Sequence, residues 1–278
     1  MAAPGPGLFP KASTLLSRAF WFAREHPAPV LTLGLLGSAP VAILLLLYLR
    51  EAQEALLIEG TSVAAMRPLA FGVAAVYFIR FPFRLALARF MAASAHGDAA
   101  GVPSALGFAL LHAPTALLYG AVATLGWILG SLAALPILAT LHAGLAFHRF
   151  AAGDASALGA LREAMRIPSA GVGLRLIGSA SVVYLALFLI TWTAPGSALG
   201  LAEWLFRADV AALQQLLGLA SPAWLGVALI LPLVAVELLF SLAFGLVSRE
   251  WDRLSAAPDL LAGLQLLETR LAAGEGFE

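Results

Sequence analysis

The sequence predicts an all-α, polytopic membrane protein: a bundle of six transmembrane helices built as three repeats of an elbow helix and a helical hairpin. Three observations carry this prediction, namely the composition, the length of the apolar stretches and a sequence word that recurs between them. Of the 278 residues, 61% are hydrophobic and 12% are charged. Soluble globular chains carry about 45–50% apolar and about 25% charged residues, so most of this chain is expected to face a lipid bilayer.

Six stretches of the chain are apolar enough to cross a bilayer, whose hydrocarbon core of about 30 Å needs about 20 helical residues. Residues 114–148 contain no Asp, Glu, Lys or Arg and are too long for one span, so a turn within residues 126–131 is expected to divide them. Each span is predicted to be a helix because lipid offers the backbone no hydrogen-bond partners. The predicted spans are residues 29–49, 68–87, 114–129, 131–148, 172–192 and 224–247.

Shorter segments beside the spans are predicted to be interfacial helices. Three of them precede a span and stop near a proline, which indicates an elbow at the cytoplasmic interface. A fourth segment has apolar residues around three charges and is expected on the outer side. The elbows are residues 12–26, 103–113 and 156–167, and the outer segment is 201–217.

The two ends of the chain complete the predicted organisation. Leucines at helical spacing predict a cytoplasmic helix over residues 259–271, which lies on the membrane or docks on the bundle or on a partner protein. Residues 11–273 form one membrane domain in this interpretation. We expect the N-terminal residues 1–10 to be disordered and the C-terminal residues 274–278 to be loose.

The basic residues are distributed unequally between the two sides of the predicted bundle. Thirteen of the sixteen lie on the side of the termini, and only Arg50, Arg67 and Arg207 lie on the other. The positive-inside rule therefore predicts a multi-pass membrane protein with both termini in the cytoplasm. Fifteen of the sixteen basic residues are Arg, and this bias, together with the richness in Ala, Gly and Leu, indicates a bacterial protein of the inner (plasma) membrane. Because the net charge is zero, no nucleic-acid partner is expected.

An internal repeat supports the three elbows. The words Arg-Phe, Gly-Asp and Ser-Ala-Leu-Gly, which begin at Arg89, Gly97 and Ser104, return in the same order at Arg149, Gly153 and Ser156. The alternative is a chance echo in a chain rich in Ala and Leu. With these words at its elbow starts, the plan resembles the bacterial six-span inner-membrane proteins related to the membrane domain of glycerophosphodiester phosphodiesterases. The resemblance implies a membrane-embedded module without assigned chemistry, and it carries over no catalytic residue.

Glu237 is the most informative single residue because it lies near the middle of the sixth span, roughly 18 Å from Arg249 along the helix. An ionisable group at that depth is a functional candidate by default. It lies either in an ion or substrate path or in a structural hydrogen bond that joins helices. By depth, the predicted partners are His142 and Arg175, with Ser179, Ser181 and Tyr184 as further candidates. Arg80 is expected to extend instead to the cytoplasmic head groups.

No other pattern predicts chemistry. The chain has no cysteine, which excludes disulfides and thiolate chemistry. His142 and His148 are six residues apart and therefore lie on different faces of a helix, so no metal site is predicted. No nucleophile elbow or phosphate-binding loop occurs, so we predict no catalytic residue and no cofactor.

Two functions fit these observations. The first is a non-enzymatic scaffold or complex subunit in the inner membrane, with membrane or cytoplasmic proteins as partners. The alternative is a transporter or a permease subunit of the ABC-exporter type, whose partner is an ATPase and whose substrate or ion path contains Glu237.

Overall fold

The computed structural model describes residues 10–57, 67–95, 97, 101–129, 135–153, 155–167, 169–207, 209–218 and 221–272. The regular structure of these residues is entirely helical. The ten helices are α1 (Ala12–Glu25), α2 (Pro27–Leu57), α3 (Arg67–Ala95), α4 (Val102–Leu111), α5 (Ala113–Leu129), α6 (Leu135–Ala152), α7 (Ala157–Arg166), α8 (Ser169–Phe206), α9 (Ala211–Leu217) and α10 (Pro222–Ala272).

Several sequence predictions fall outside the described residues. These are the predicted disorder of residues 1–9, the loose residues 274–278, and Asp98, Asp154 and Pro168 of the repeated elbow words. The third predicted span, residues 114–129, agrees with α5, which ends at Leu129. Residues 130–134, which follow it, are outside the described residues.

Four helices are long and apolar enough to cross a membrane: residues 27–48 of α2, 70–95 of α3, 175–206 of α8 and 224–254 of α10. A fifth span is added if α4 and α5 count together, although the two helices are bent by 76° at the break between them. The structure is thus an all-helical bundle with the character of a membrane-embedded protein. Six spans remain a prediction.

Two helix predictions at the C-terminal end are wrong. Residues 201–217 do not form one interfacial helix, because α8 runs on to Phe206 and the chain then turns at Arg207, whose φ of 50° is incompatible with a right-handed helix. Residues 259–271 are not a separate helix either. They continue α10, which runs through Pro258 to Ala272.

Three helices form the centre of the bundle. α3, α6 and α10 pack on one another, while α2, α5 and α8 each pack on the outside of two of them. Burial follows this division. In the most apolar stretch of the inner helix α10, 39% of the residues are buried, whereas the corresponding fraction in the outer helix α8 is 11%. The outer faces carry exposed apolar side chains such as Phe71, Val182 and Ile190, as expected of a surface that faces lipid.

The elbow helices α1, α4 and α7 pack beside one end of the inner helices. Pairs of small residues make this close approach feasible, because Ala105 and Ala109 of α4, and Ala160 and Ala164 of α7, are fully buried. These pairs do not follow the register of the repeated words. Ser156 caps α7, its Oγ accepting a hydrogen bond from the backbone N–H of Gly159 at 3.1 Å, whereas Ser104 lies inside α4.

The repeated Ser-Ala-Leu-Gly words therefore stand about one helical turn apart in the two elbows. Both segments are helices, as predicted, but the words do not mark equivalent positions. The reason is that packing selects the small side chains that face the inner helices. Ala105 lies within the first word, whereas Ala160 follows the second word.

Candidate functional site

Glu237 joins two inner helices through a pair of arginines. Arg80 and Arg84 are four residues apart on α3, so they share one face of that helix. Arg80 Nη1 donates a hydrogen bond to Glu237 Oε1 at 3.1 Å. Arg84 Nη2 donates to the same carboxylate oxygen. The cluster thus contains two guanidinium groups and one carboxylate, a net charge of +1.

The prediction that the partner of Glu237 lies on the fourth or fifth span is wrong. The carboxylate is held by the second predicted span, and Arg80 does not extend to the cytoplasmic head groups. Of the predicted partners, His142 lies half-buried on α6 and Arg175 lies exposed on α8. The spacing of Arg80 and Arg84 in an apolar stretch was the available signal, since two charges on one face of an inner helix indicate an interior partner.

Aromatic rings hold the two guanidinium groups in place. The Cζ atom of Arg80 lies 3.8 Å from the centroid of the Tyr77 ring and 5.1 Å from that of Phe81. Arg84 Cζ lies 5.7 Å from the Phe81 ring. Such cation–π contacts attract a cation to the ring face, more strongly where water is excluded. The arginines are therefore fixed from α3 itself as well as by Glu237.

One hydrogen-bond donor of Arg80, its Nε–H group, is not used within the described part of the chain. Among the described residues, its Nε is buried and has no hydrogen-bond partner. A buried donor without a partner costs free energy and calls for an explanation in the site around it.

A large cavity opens beside this cluster. Its volume is about 680 Å³, within the range of about 300–1,000 Å³ typical of small-molecule sites. Along α10 the cavity reaches from Leu233 to Phe244, a distance of about 16 Å. Its walls are α3, α5, α6, α8 and α10. The described lining residues are Tyr77, Arg80, Arg84, Ala123, Thr140, Leu141, Gly144, Phe147, Ile177, Ala180, Ser181, Tyr184, Leu233, Val236, Glu237, Phe240, Ser241 and Phe244.

The cavity walls are mainly apolar, and their charges are confined to one place. Arg80, Arg84 and Glu237 are the charged side chains among the described lining residues, while His142 and Arg175 do not belong to that lining. Ser181 and Tyr184, which depth indicated as neighbours of Glu237, do line the same cavity. An apolar chamber with one charged patch is suited to a molecule that has both an apolar and a polar part.

A second, much smaller cavity lies on the other side of the charged cluster, between α2, α3 and α10. Its volume is about 20 Å³, enough for one water molecule. Ser38 and Ser241 line it together with Arg80, Arg84 and Glu237. The charged cluster therefore stands between a water-sized polar void and the large apolar chamber.

The described histidines are not grouped as metal ligands. Within the part of the chain that the structure describes, no three His, Asp or Glu side chains are grouped as metal ligands. His148 is buried, and its Nε2 lies 2.8 Å from the backbone oxygen of Ser241. His112 Nδ1 lies 2.9 Å from the backbone oxygen of Phe108. The first contact joins α6 to α10, and the second lies within the last turn of α4.

No family model, no curated protein and no solved structure matches the chain.

Proposed function

We propose that this chain is a six-span protein of the bacterial inner membrane, with both termini in the cytoplasm, and that three elbow-and-hairpin repeats close into a ring. Matching aromatic contacts support the repeats. In the first elbow the His26 ring lies 5.5 Å from Phe90, and in the second the His112 ring lies 5.2 Å from Phe150, both edge to face. Gly97 and Gly153, which follow the inner helices α3 and α6, both have positive φ.

Contacts from each inner helix to the next elbow support the ring. The guanidinium of Arg89 on α3 lies 5.0 Å from the Phe108 ring on α4. Arg149 on α6 pairs with Glu163 on α7 at 2.7 Å. Glu250 on α10 pairs with Arg18 on α1, also at 2.7 Å. The last contact connects the third repeat back to the first.

Within this ring, we propose that the protein binds an amphipathic molecule inside the membrane, as a transporter or permease subunit does. One observation carries this proposal: the cavity of about 680 Å³ has apolar walls and contains the charged cluster of Arg80, Arg84 and Glu237. A mainly apolar pocket with a few convergent polar groups is the usual form of a ligand site. Charges at membrane depth mark substrate and ion paths.

The scaffold function assigns this cavity no role. A bundle that serves only as a scaffold is more stable when its interior is filled, because each unfilled volume loses packing contacts. The sequence resemblance to phosphodiesterase membrane domains agrees with either function, since it implies a membrane module and no chemistry.

Photo-crosslinking tests the proposed binding. The purified chain in lipid nanodiscs is exposed to photoactivatable palmitate, monopalmitoylglycerol and hexadecyltrimethylammonium, which are anionic, neutral and cationic amphiphiles. We expect at least one probe to label residues of α6, α8 or α10 that line the cavity, and excess unlabelled amphiphile to compete.

Two matched variants decide where the probe binds. Ser181→Trp places a large ring in the cavity and should abolish the competed labelling. Val182→Trp, on the exposed outer face of the same helix, should leave it unchanged. If no probe gives labelling that is both competed and sensitive to Ser181→Trp, the cavity is not a binding site and the scaffold function is favoured.

A further inference from the structure

We infer that the ligand of the large cavity carries a single anionic head group on an aliphatic chain, and that the head group binds to Arg80 and Arg84. This inference deepens the proposed function and rests on it. Its first support is charge: two guanidinium groups and one carboxylate leave one positive charge in a site with apolar surroundings. One monoanionic group makes the site neutral, which removes the cost of an uncompensated charge at this depth.

The second support is the donor chemistry of the arginines. Arg80 and Arg84 both line the cavity, so their terminal nitrogens are the donors available to a ligand, whereas the Nε of Arg80 is buried. Guanidinium groups present planar donor pairs that match the oxygens of a carboxylate or a phosphodiester. The rings of Tyr77 and Phe81 hold these donors beside the cavity, so the site is organised before a ligand arrives.

The third support is the shape of the rest of the cavity. Beyond the charged cluster its described walls are apolar or carry single hydroxyl groups, as in Ser181 and Tyr184. Along α10 the cavity is about 16 Å long, and about 10 Å of this length lies between Glu237 and Phe244. The aliphatic part of a single-chain amphiphile can lie along this distance, with its head group at the charged cluster.

Glu237 has a defined part in this arrangement. In the absence of ligand its carboxylate is the counterion of both arginines. An anionic head group must share those donors with it. Glu237 therefore competes with the ligand, and its removal should strengthen the binding of anions while leaving the binding of neutral amphiphiles unchanged.

The experiment compares four probes on the unaltered chain in nanodiscs of phosphatidylcholine. Palmitate carries a carboxylate, lysophosphatidylglycerol carries a phosphodiester, monopalmitoylglycerol is neutral and hexadecyltrimethylammonium is cationic. We expect an anionic probe to displace the photoactivatable palmitate from the cavity at a concentration at least about tenfold lower than the neutral probe, as one charge-assisted contact implies. Displacement by palmitate at a lower concentration than lysophosphatidylglycerol indicates a fatty-acid ligand, and the reverse order indicates a phospholipid ligand.

Variants assign the effect to the cluster. Arg84→Gln should weaken anion binding by about 10- to 100-fold, the range for a lost charge-assisted hydrogen bond. Glu237→Gln should strengthen it. Arg175→Gln removes an exposed arginine of α8 and serves as the matched control, with no change expected.

The outcomes separate the inference from the proposed function. If the neutral and anionic probes compete equally, or if Arg84→Gln does not alter the preference for anions, the inference is wrong while binding in the cavity stands. If no probe labels the cavity, the proposed function itself fails. The probe comparison needs no variant, so the inference stays testable even where Arg84→Gln does not fold.

Discussion

At the residue scale, the interior of this bundle depends on the balance of charge between Arg80, Arg84 and Glu237. Two guanidinium groups share one carboxylate, and the Arg84 and Arg80 side chains make their contacts from successive turns of α3. Loss of the carboxylate leaves two like charges together at membrane depth. Loss of Arg84 leaves a simple pair of opposite charges. The three positions are therefore expected to be energetically coupled.

Glu237→Gln is expected to lower the free energy of unfolding by about 3–5 kcal/mol, the cost of removing one partner from a buried ion pair. Arg84→Gln should lower the free energy of unfolding by less. The double variant should be more stable than Glu237→Gln alone, because it leaves one uncompensated positive charge instead of two. Unfolding in mixed micelles measures all three. Arg175→Gln, combined with Glu237→Gln, should be additive within about 0.5 kcal/mol. Additivity of the Arg84 and Glu237 variants would show that the cluster is not coupled.

At the element scale, glycine sets how closely the inner helices approach. A Cβ atom at Gly144 of α6 would lie 2.5 Å from Cδ2 of Phe244 on α10, closer than two carbon atoms can pack. Gly144 and Phe244 both line the large cavity. The fit of these two helices therefore determines one wall of the proposed binding site.

Gly144→Ala is expected to destabilise the protein by about 1–3 kcal/mol through overpacking, although alanine is the better helix former by about 1 kcal/mol. Gly178→Ala on α8, where a Cβ meets no atom within 4 Å, is the control and should be neutral or slightly stabilising. Thermal unfolding in detergent measures both. Equal stability of the two variants would mean that α6 and α10 are not in close contact at this position.

At the scale of the whole molecule, orientation follows from the placement of basic residues around the spans. Of the fourteen basic residues outside the charged cluster, eleven lie on the side of the termini in the proposed topology, so the loop after the first span should face outward and the end of α10 should face the cytoplasm. Because the natural chain has no cysteine, any introduced cysteine is the single thiol of the protein.

Ala55→Cys should react with a membrane-impermeant maleimide in intact cells, and Ala273→Cys should react only after the membrane is opened. The two positions thus report opposite sides. A cysteine replacing Ser17 in α1 provides a second cytoplasmic control. In the proposed topology five spans, an odd number, lie between these two positions. Labelling of both positions from the same side would therefore overturn the six-span arrangement.

Much of the helical framework was predictable because it depends on local properties. The lengths of the apolar stretches and the prolines after the elbows predicted helices close to α1, α4, α5 and α7. The sequence was less informative where a helix had no local reason to stop. Residues 201–206 continue α8 and residues 259–271 continue α10, because continued backbone hydrogen bonding outweighed the weak boundary signals.

The sequence by itself determined that the chain is helical, that it is apolar enough for a membrane, and that Glu237 is a charge in the interior of a span. Only the tertiary structure decided what surrounds Glu237. Its partners Arg80 and Arg84 are 157 and 153 residues away along the chain, and the cavity is formed by five different helices. Helix periodicity and hydrophobicity act over a few residues, whereas the rotation of one helix against another is fixed by packing among distant side chains. A charge can therefore be located from the sequence, while its counterion and the space beside it depend on the assembled bundle.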